Sequence, residues 1–295
     1  MSEPIPETAR AFEEPLPIGE PRLDGLARLV AVVDRLRAKD GGCPWDLKQD
    51  ATTLTASLVE EAFEVVEAIE ERANETACHH HEVASELGDL MMNLVLIARC
   101  EEDAGRAHLG DASNLVADKL IRRHPHVFGA LELEGNDGDV DAILTNWEAI
   151  KKQERAEKEA DTSALAGVPA ALPGLQRAAR LSGKAISAGF RWGDSRGALH
   201  KVAEELAELE AAFGPGAEPD EAQRAALEAE LGDLLMATAI FGRYAKLDPE
   251  RALRNSLRRF EARYRHMEAA LGGGLEGRSL DEMMAAWEAA KRDLD

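Results

Sequence analysis

An acidic pattern recurs along this chain at a fixed distance. Glu60, Glu61 and Glu64 lie in "LVEEAFEVVEAIE", and Glu204, Glu205 and Glu208 follow in "KVAEELAELEAAF", each 144 positions later. Glu86 and Asp89 of "ELGDLMM" match Glu230 and Asp233 of "ELGDLLM" at the same offset. The four tryptophans pair as well, Trp45 with Trp192 ahead of the acidic segments and Trp147 with Trp287 near the ends of the halves. Two long units of this kind imply a duplicated domain rather than a solenoid, which is built from many short repeats.

The fold class follows from residue types. Aromatics make up 4% of the chain while Ala, Leu, Glu and Arg abound, and straight-chain side chains lose little rotamer freedom in a helix. The expectation is an all-α protein. Apolar residues recur every three or four positions from Leu23 through "GLARLVAVVDRLRA", as one buried helical face requires. "KDGGCPWD" breaks that pattern with two glycines and a proline. Helices are then predicted from about Thr53 to Arg72 and from about Glu82 to Ala104, with a break at "NETACHHH". A further helix, "NLVADKLIRRH", should stop at Pro125. "GALELEGNDGDVD" reads as a loop and "AILTNWEAIKKQERAEKEA" as a charged helix.

The second half repeats the order. "LQRAARLSGKAISAG" is predicted helical, "FRWGDSRG" interrupts it, and a helix from about Leu199 to Phe213 carries the second acidic group. "GPGAEPD" is the turn before the helix of "LEAELGDLLMATAIFGRYA", and helices continue to "MMAAWEAAKRDLD". The expected division is an acidic, Pro-rich tail over 1–20 without fixed structure, a first domain over 21–160 and a second over 161–295, with "DTSALAGVPAALPGL" as the separator.

Paired carboxylates give the chemistry. Residues three apart share a helix face, so Glu61 with Glu64 and Glu86 with Asp89 each project two carboxylates to one side. Packed antiparallel, the two helices can bring four acids around one point. Such crowding either raises their pKa values or is neutralised by a cation. An all-oxygen donor set without His or Cys suits Mg²⁺ first and Mn²⁺ next. Mg²⁺ completes its shell with water and substrate phosphates, which implies a phosphate ester or anhydride as substrate. The glycine within "ELGD" is expected to let helices approach closely at the ion.

These motifs resemble a known family. "EEAFE" followed by "ELGDL", with "GCPWD" before and "KLIRRHPHVF" after, is similar to MazG-type nucleoside triphosphate pyrophosphohydrolases of the all-α NTP pyrophosphatase superfamily. The likeness runs from about Leu23 nearly to the end and includes the two-domain organisation. It implies Mg²⁺-dependent hydrolysis of a (d)NTP to the monophosphate and pyrophosphate, on helical bundles completed by a homodimer. Carried over by position, the ion ligands are Glu61, Glu64, Glu86 and Asp89 in the first half and Glu205, Glu208, Glu230 and Asp233 in the second.

Other residues take their expected roles around that core. Glu60 and Glu204 lie one residue earlier, about 100° round the helix, where a carboxylate can take a proton from an attacking water; a salt-bridged surface acid is the other reading. Lys119, Arg122 and Arg123 in the first half, and Lys201, Arg258, Arg259 and Arg263 in the second, are candidates to hold phosphates. Trp192 and Trp287 either stack on the base or cap a small core. In two-domain members of the family the C-terminal half is associated with NTP hydrolysis. Lys201 fits that half, where Ser57 occupies the matching place in the first. Against it, "SLRRFEARY" has Leu257 and Arg259 where the family's active half has Asn and Lys. The second half is the favoured catalytic unit.

Several classes are excluded or disfavoured. A net charge of −21 repels polymeric nucleic acid and anionic membranes. The longest apolar run, Leu90 to Ala98, is too short to span a bilayer. Cys43, Cys78 and Cys100 show no CxxC spacing and read as free thiols of a reducing compartment, so the expected location is the cytoplasm. "CHHHE" reads as a solvated hairpin tip rather than a zinc site. His124 and His126 suit packing or phosphate contact. No histidine has Glu or Asp three positions before it, as a di-metal carboxylate oxidase would need. The rivals are an acidic scaffold for a basic partner and a dUTP/dCTP or phosphoribosyl-ATP pyrophosphatase.

Overall fold

The computed structural model describes residues 19–72, 80–128, 143, 147, 150, 154, 161, 163–214 and 218–294. All regular structure among them is helical, so the fold is all-α. The chain divides into two compact units, Met1–Glu154 and Arg155–Asp295. Among the described residues no helix is long and apolar enough to cross a membrane.

In the first unit α1 spans Pro21–Leu36. Pro21 sits where its missing N–H costs no hydrogen bond, and the Glu20 carboxylate accepts the Arg22 N–H. A loop containing the 3₁₀ turn Asp46–Lys48 leads to α2, Thr55–Arg72, which begins two residues after the expected start. α3 runs His80–Asp103, and α4, Leu109–Arg123, opens with a reciprocal cap between His108 and Asp111. Pro125 acts in two ways. It follows the end of α4, as expected, and then starts a one-turn helix, α5 (Pro125–Phe128), because proline is tolerated at a first helical position.

α3 packs against both α1 and α2. Val33, Leu54, Val95, Leu96 and Cys100 form the buried core, lined by Leu26, Leu29, Val30 and Met92. Arg37, only 8% exposed, fastens the loop to this core. Its guanidinium donates to the Asp103 carboxylate at 2.8 Å and to the main-chain oxygens of Asp46 (2.5 Å) and Gln49 (3.0 Å). Arg99 donates to Asp103 and Asp34, extending the network. The loop before α2 is thereby tied to both α1 and α3.

The second unit comprises α6 (Gly174–Ser187), α7 (Ser195–Phe213), α8 (Glu221–Tyr244), α9 (Pro249–Ala270) and α10 (Leu280–Leu294). Asp194, Asp220 and Asp248 cap α7, α8 and α9 by accepting N–H groups of the first turn, and Gln223 completes a capping box with Asp220. α8 is flanked by α6 and α7, and α9 packs on α10. Small residues, Ala198, Ala237, Ala239 and Ala290, are buried there, which lets helices lie close.

The expected role of the "ELGD" glycine is corrected. A Cβ added at Gly88 or at Gly232 meets no atom within 4 Å, so neither glycine mediates helix contact within its own unit. Both face outward. The tail through Ile18, Cys78 and His79 of "CHHHE", the loop "GALELEGNDGDVD" and most of "AILTNWEAIKKQERAEKEA" lie outside the described residues.

Candidate metal centre

Each helical hairpin brings its acids to one focus. In the first unit α2 supplies Glu61 and α3 supplies Glu86 and Asp89; in the second, α7 supplies Glu205 and α8 supplies Glu230 and Asp233. Within each trio the carboxylate oxygens lie within 4.8 Å of one another. Glu86 and Asp89 lie one turn apart, so a single helix presents both to its neighbour. Glu64 and Glu208 fall outside these tight trios but touch them: Glu64 shares a hydrogen bond with Glu61, and Glu208 with Glu205.

The electrostatics of the two trios differ. Burial, then the neighbouring charges of Glu64, Asp89 and Glu86, push the Glu61 carboxyl above its ordinary range. In the second unit Lys201, one turn before Glu205, reaches both Glu205 (2.7 Å) and Glu204 (2.9 Å). Hydrogen bonding from Lys201 outweighs burial and holds the Glu205 carboxyl below its ordinary range, while Glu205 pushes Glu208 upward. Lys201 itself is raised by its hydrogen bonds to Glu205 and Glu204. Ser57 stands at the matching place in α2 and carries no charge. Lysine four residues before Glu205 is the sequence signal for this pair, since such residues are neighbours on a helix.

The donor set fits a hard divalent ion. Three carboxylates at one focus with a fourth beside them, and no nitrogen or sulfur ligand in either trio, fit Mg²⁺ or Mn²⁺ rather than Zn²⁺. Glu60 and Glu204, beside the trios, are solvent-exposed.

The remaining candidates have varied surroundings. Arg122 and Arg123 both grip the Glu154 carboxylate, at 2.7 and 2.5 Å. Burial raises Glu154, but the hydrogen bonds from Arg123 and Arg122 prevail and hold it at about 2. Lys119 is exposed on α4. Arg258, Arg259 and Arg263 lie along α9, with Arg259 exposed and the other two half-buried. Trp192 meets Phe190 and Tyr244 edge-on, and its carbonyl accepts the Tyr244 hydroxyl at 3.0 Å. Trp287, half-buried on α10, packs against Phe260. Sequence reading missed Arg37, because a loop anchored through main-chain oxygens leaves no pattern of side-chain types.

Known proteins are similar to this chain. The model of the MazG nucleotide pyrophosphohydrolase domain matches residues 49–128. A nucleoside triphosphate pyrophosphohydrolase of Escherichia coli is 36% identical over 273 residues, 92% of this chain and 98% of that protein. The nucleoside triphosphate pyrophosphohydrolase/pyrophosphatase MazG of Thermotoga maritima is 34% identical over 266 residues, 89% of this chain and 94% of its own. A nucleoside triphosphate pyrophosphohydrolase of Mycobacterium tuberculosis is 30% identical over 151 residues, 50% of this chain and 42% of its own.

Proposed function

The chain belongs to the MazG family of nucleotide pyrophosphohydrolases, and from that membership we propose how its two acid clusters serve the activity. It is a nucleoside triphosphate pyrophosphohydrolase, a hydrolase of acid anhydrides. The reaction we infer converts a (d)NTP and water to the (d)NMP and pyrophosphate, with Mg²⁺ as the ion and Mn²⁺ as a substitute. The observation that carries this reading is the convergence of carboxylates from two helices, within 4.8 Å, at the same register in both halves. We read that shared register as a tandem pair of MazG-like domains over 21–160 and 161–295.

Glu61, Glu86 and Asp89 with Glu64, and Glu205, Glu230 and Asp233 with Glu208, are the proposed ligand sets. A divalent ion held by these carboxylates would acidify a water and offset the charge of the phosphates. Glu60 and Glu204, adjacent to the ligands and open to solvent, receive the proton of the attacking water. Lys201, Arg258, Arg259 and Arg263 hold the triphosphate in the second half, with Trp192 and Trp287 beside the base; Lys119, Arg122 and Arg123 are their first-half counterparts. The second half is the proposed seat of hydrolysis, since Lys201 stands at its acid focus.

A homodimer is part of the proposal. Leu87, Met91 and Leu94 on α3, and Leu231 and Leu235 on α8, are more than 40% exposed. They flank the open faces of Gly88 and Gly232. A second copy would cover this apolar surface. The free thiols Cys43 and Cys100 support a reducing, cytoplasmic setting, and the charge of −21 argues against a polymeric nucleic-acid partner. The test is a panel of NTPs and dNTPs with Mg²⁺, assayed for pyrophosphate against orthophosphate, with Glu205→Ala and Glu61→Ala in parallel. Pyrophosphate is the expected product, with the larger loss in Glu205→Ala. Orthophosphate as the direct product overturns the reading, and equal losses overturn the choice of half.

A further inference from the structure

The two acid foci share a register but not a charge environment, because one contains a lysine and the other a serine. Lys201 lies one turn before Glu205 and on the same face of α7. Its ammonium is 2.7 Å from Glu205 and 2.9 Å from Glu204. The Glu205 side chain is 7% exposed and that of Lys201 31%, so the pair is partly shielded from water and its attraction is less screened than at the surface. A divalent ion entering that focus must compete with a cation the chain already provides. Among the described residues the charges that act on Glu61 at the first focus are those of Glu64, Asp89 and Glu86, all acidic, and Ser57 occupies the position that matches Lys201.

We propose that Lys201 is an internal counter-ion that makes the second half take up its divalent ion together with a polyphosphate, whereas the first half takes up the ion alone. The inference rests on the metal-dependent reading above and concerns the order of loading. A triphosphate supplies oxygens that draw the Lys201 ammonium off Glu205, and this frees a carboxylate for the ion. Ion and nucleotide binding at the second focus are therefore positively coupled, each strengthening the other by the same factor. At the first focus ion binding requires no such exchange. Lys201 acts here as a positioning residue as well as a phosphate contact.

The experiment is equilibrium dialysis of Mn²⁺ against the full-length, EDTA-stripped chain, with and without a non-hydrolysable imido analogue of a nucleoside triphosphate. Glu61→Gln and Glu205→Gln assign the bound ion to a half. Without the analogue, Glu61→Gln should remove most of the bound Mn²⁺ and Glu205→Gln little. With the analogue, Glu205→Gln should remove a comparable share. Lys201→Met should give the second half analogue-independent binding, strengthened about tenfold or more. The reciprocal Ser57→Lys should weaken the first half by a similar factor, and it keeps the test decisive if Lys201→Met misfolds. Equal binding by both halves of the unaltered chain without the analogue, or no change in Lys201→Met, overturns the proposal and leaves the metal-dependent reading intact. Absence of Mn²⁺ binding in every variant and condition overturns both.

Discussion

Replacing Arg37 with methionine removes one buried cation, its ion pair with Asp103 and three hydrogen bonds, one to the Asp103 carboxylate and one each to the main-chain oxygens of Asp46 and Gln49. Breaking a buried ion pair from one side costs about 3–5 kcal/mol. Asp103 is one-third exposed and keeps Arg99 as a partner, which places the expected loss at the lower end, roughly 3 kcal/mol. In a unit of this size that lowers the melting temperature by about 6–12 °C. Hydrogen exchange read by mass spectrometry on peptides of α1 and α3 measures the local free energy without requiring both units to unfold together. The deficit should shrink in acid. Burial raises the Asp103 carboxyl, but hydrogen bonds from Arg37 and Arg99 prevail and hold it below its ordinary range. A depressed carboxyl contributes stability above its unfolded pKa and loses it as pH falls through the folded value. A loss under about 1 kcal/mol at neutral pH, or one that grows in acid, refutes the reasoning.

Other outcomes follow from the same geometry. Glu154→Gln should destabilise by about 2 kcal/mol at neutral pH, with the unaltered chain losing that contribution as pH falls from the ordinary carboxylate range toward about 2; acid titration of both proteins checks the sign. Glu61→Gln should stabilise the chain in EDTA above the ordinary carboxylate range, because a raised carboxyl favours the folded state only while protonated. The same variant should lose first-half ion binding. Mg²⁺ at a hundredfold excess over its dissociation constant should add about 2.7 kcal/mol to the site that holds it, an increment that chelation reverses. Gly88→Ala should stabilise α3 by about 0.5–1 kcal/mol if its face stays in water. If a second copy packs there, sedimentation should instead show weaker association.

Much of the helical layout is legible in the sequence, and the reasons are local. Periodic apolar positions in "GLARLVAVVDRLRA" set the face of α1, and the glycines and proline of "KDGGCPWD" follow its end at Leu36. The acid foci are legible because helix geometry carries a three-residue spacing directly into space. Orientation between elements is less legible. Glycine in a helix usually has a packing reason, which marks Gly88 as a contact point, yet the face it opens belongs to no neighbour in its own unit. The spacing of Lys201 and Glu205 permits an ion pair, but only the fold shows that its acid partner is buried. Arg122 and Arg123 read as phosphate holders, whereas their common grip on Glu154 joins residues 32 and 31 positions apart, a contact that no local spacing announces.

Glu86 and Asp89 share one helix, as do Glu230 and Asp233, so the spacing within each pair is set by the helical rise and resists change. The distance to the opposing glutamate, Glu61 or Glu205, spans the gap between two helices. One jaw of the vice is rigid and the other slides. Altered packing between the rods should therefore shift which ionic radius is preferred, small Mg²⁺ or wider Ca²⁺, before it abolishes capture.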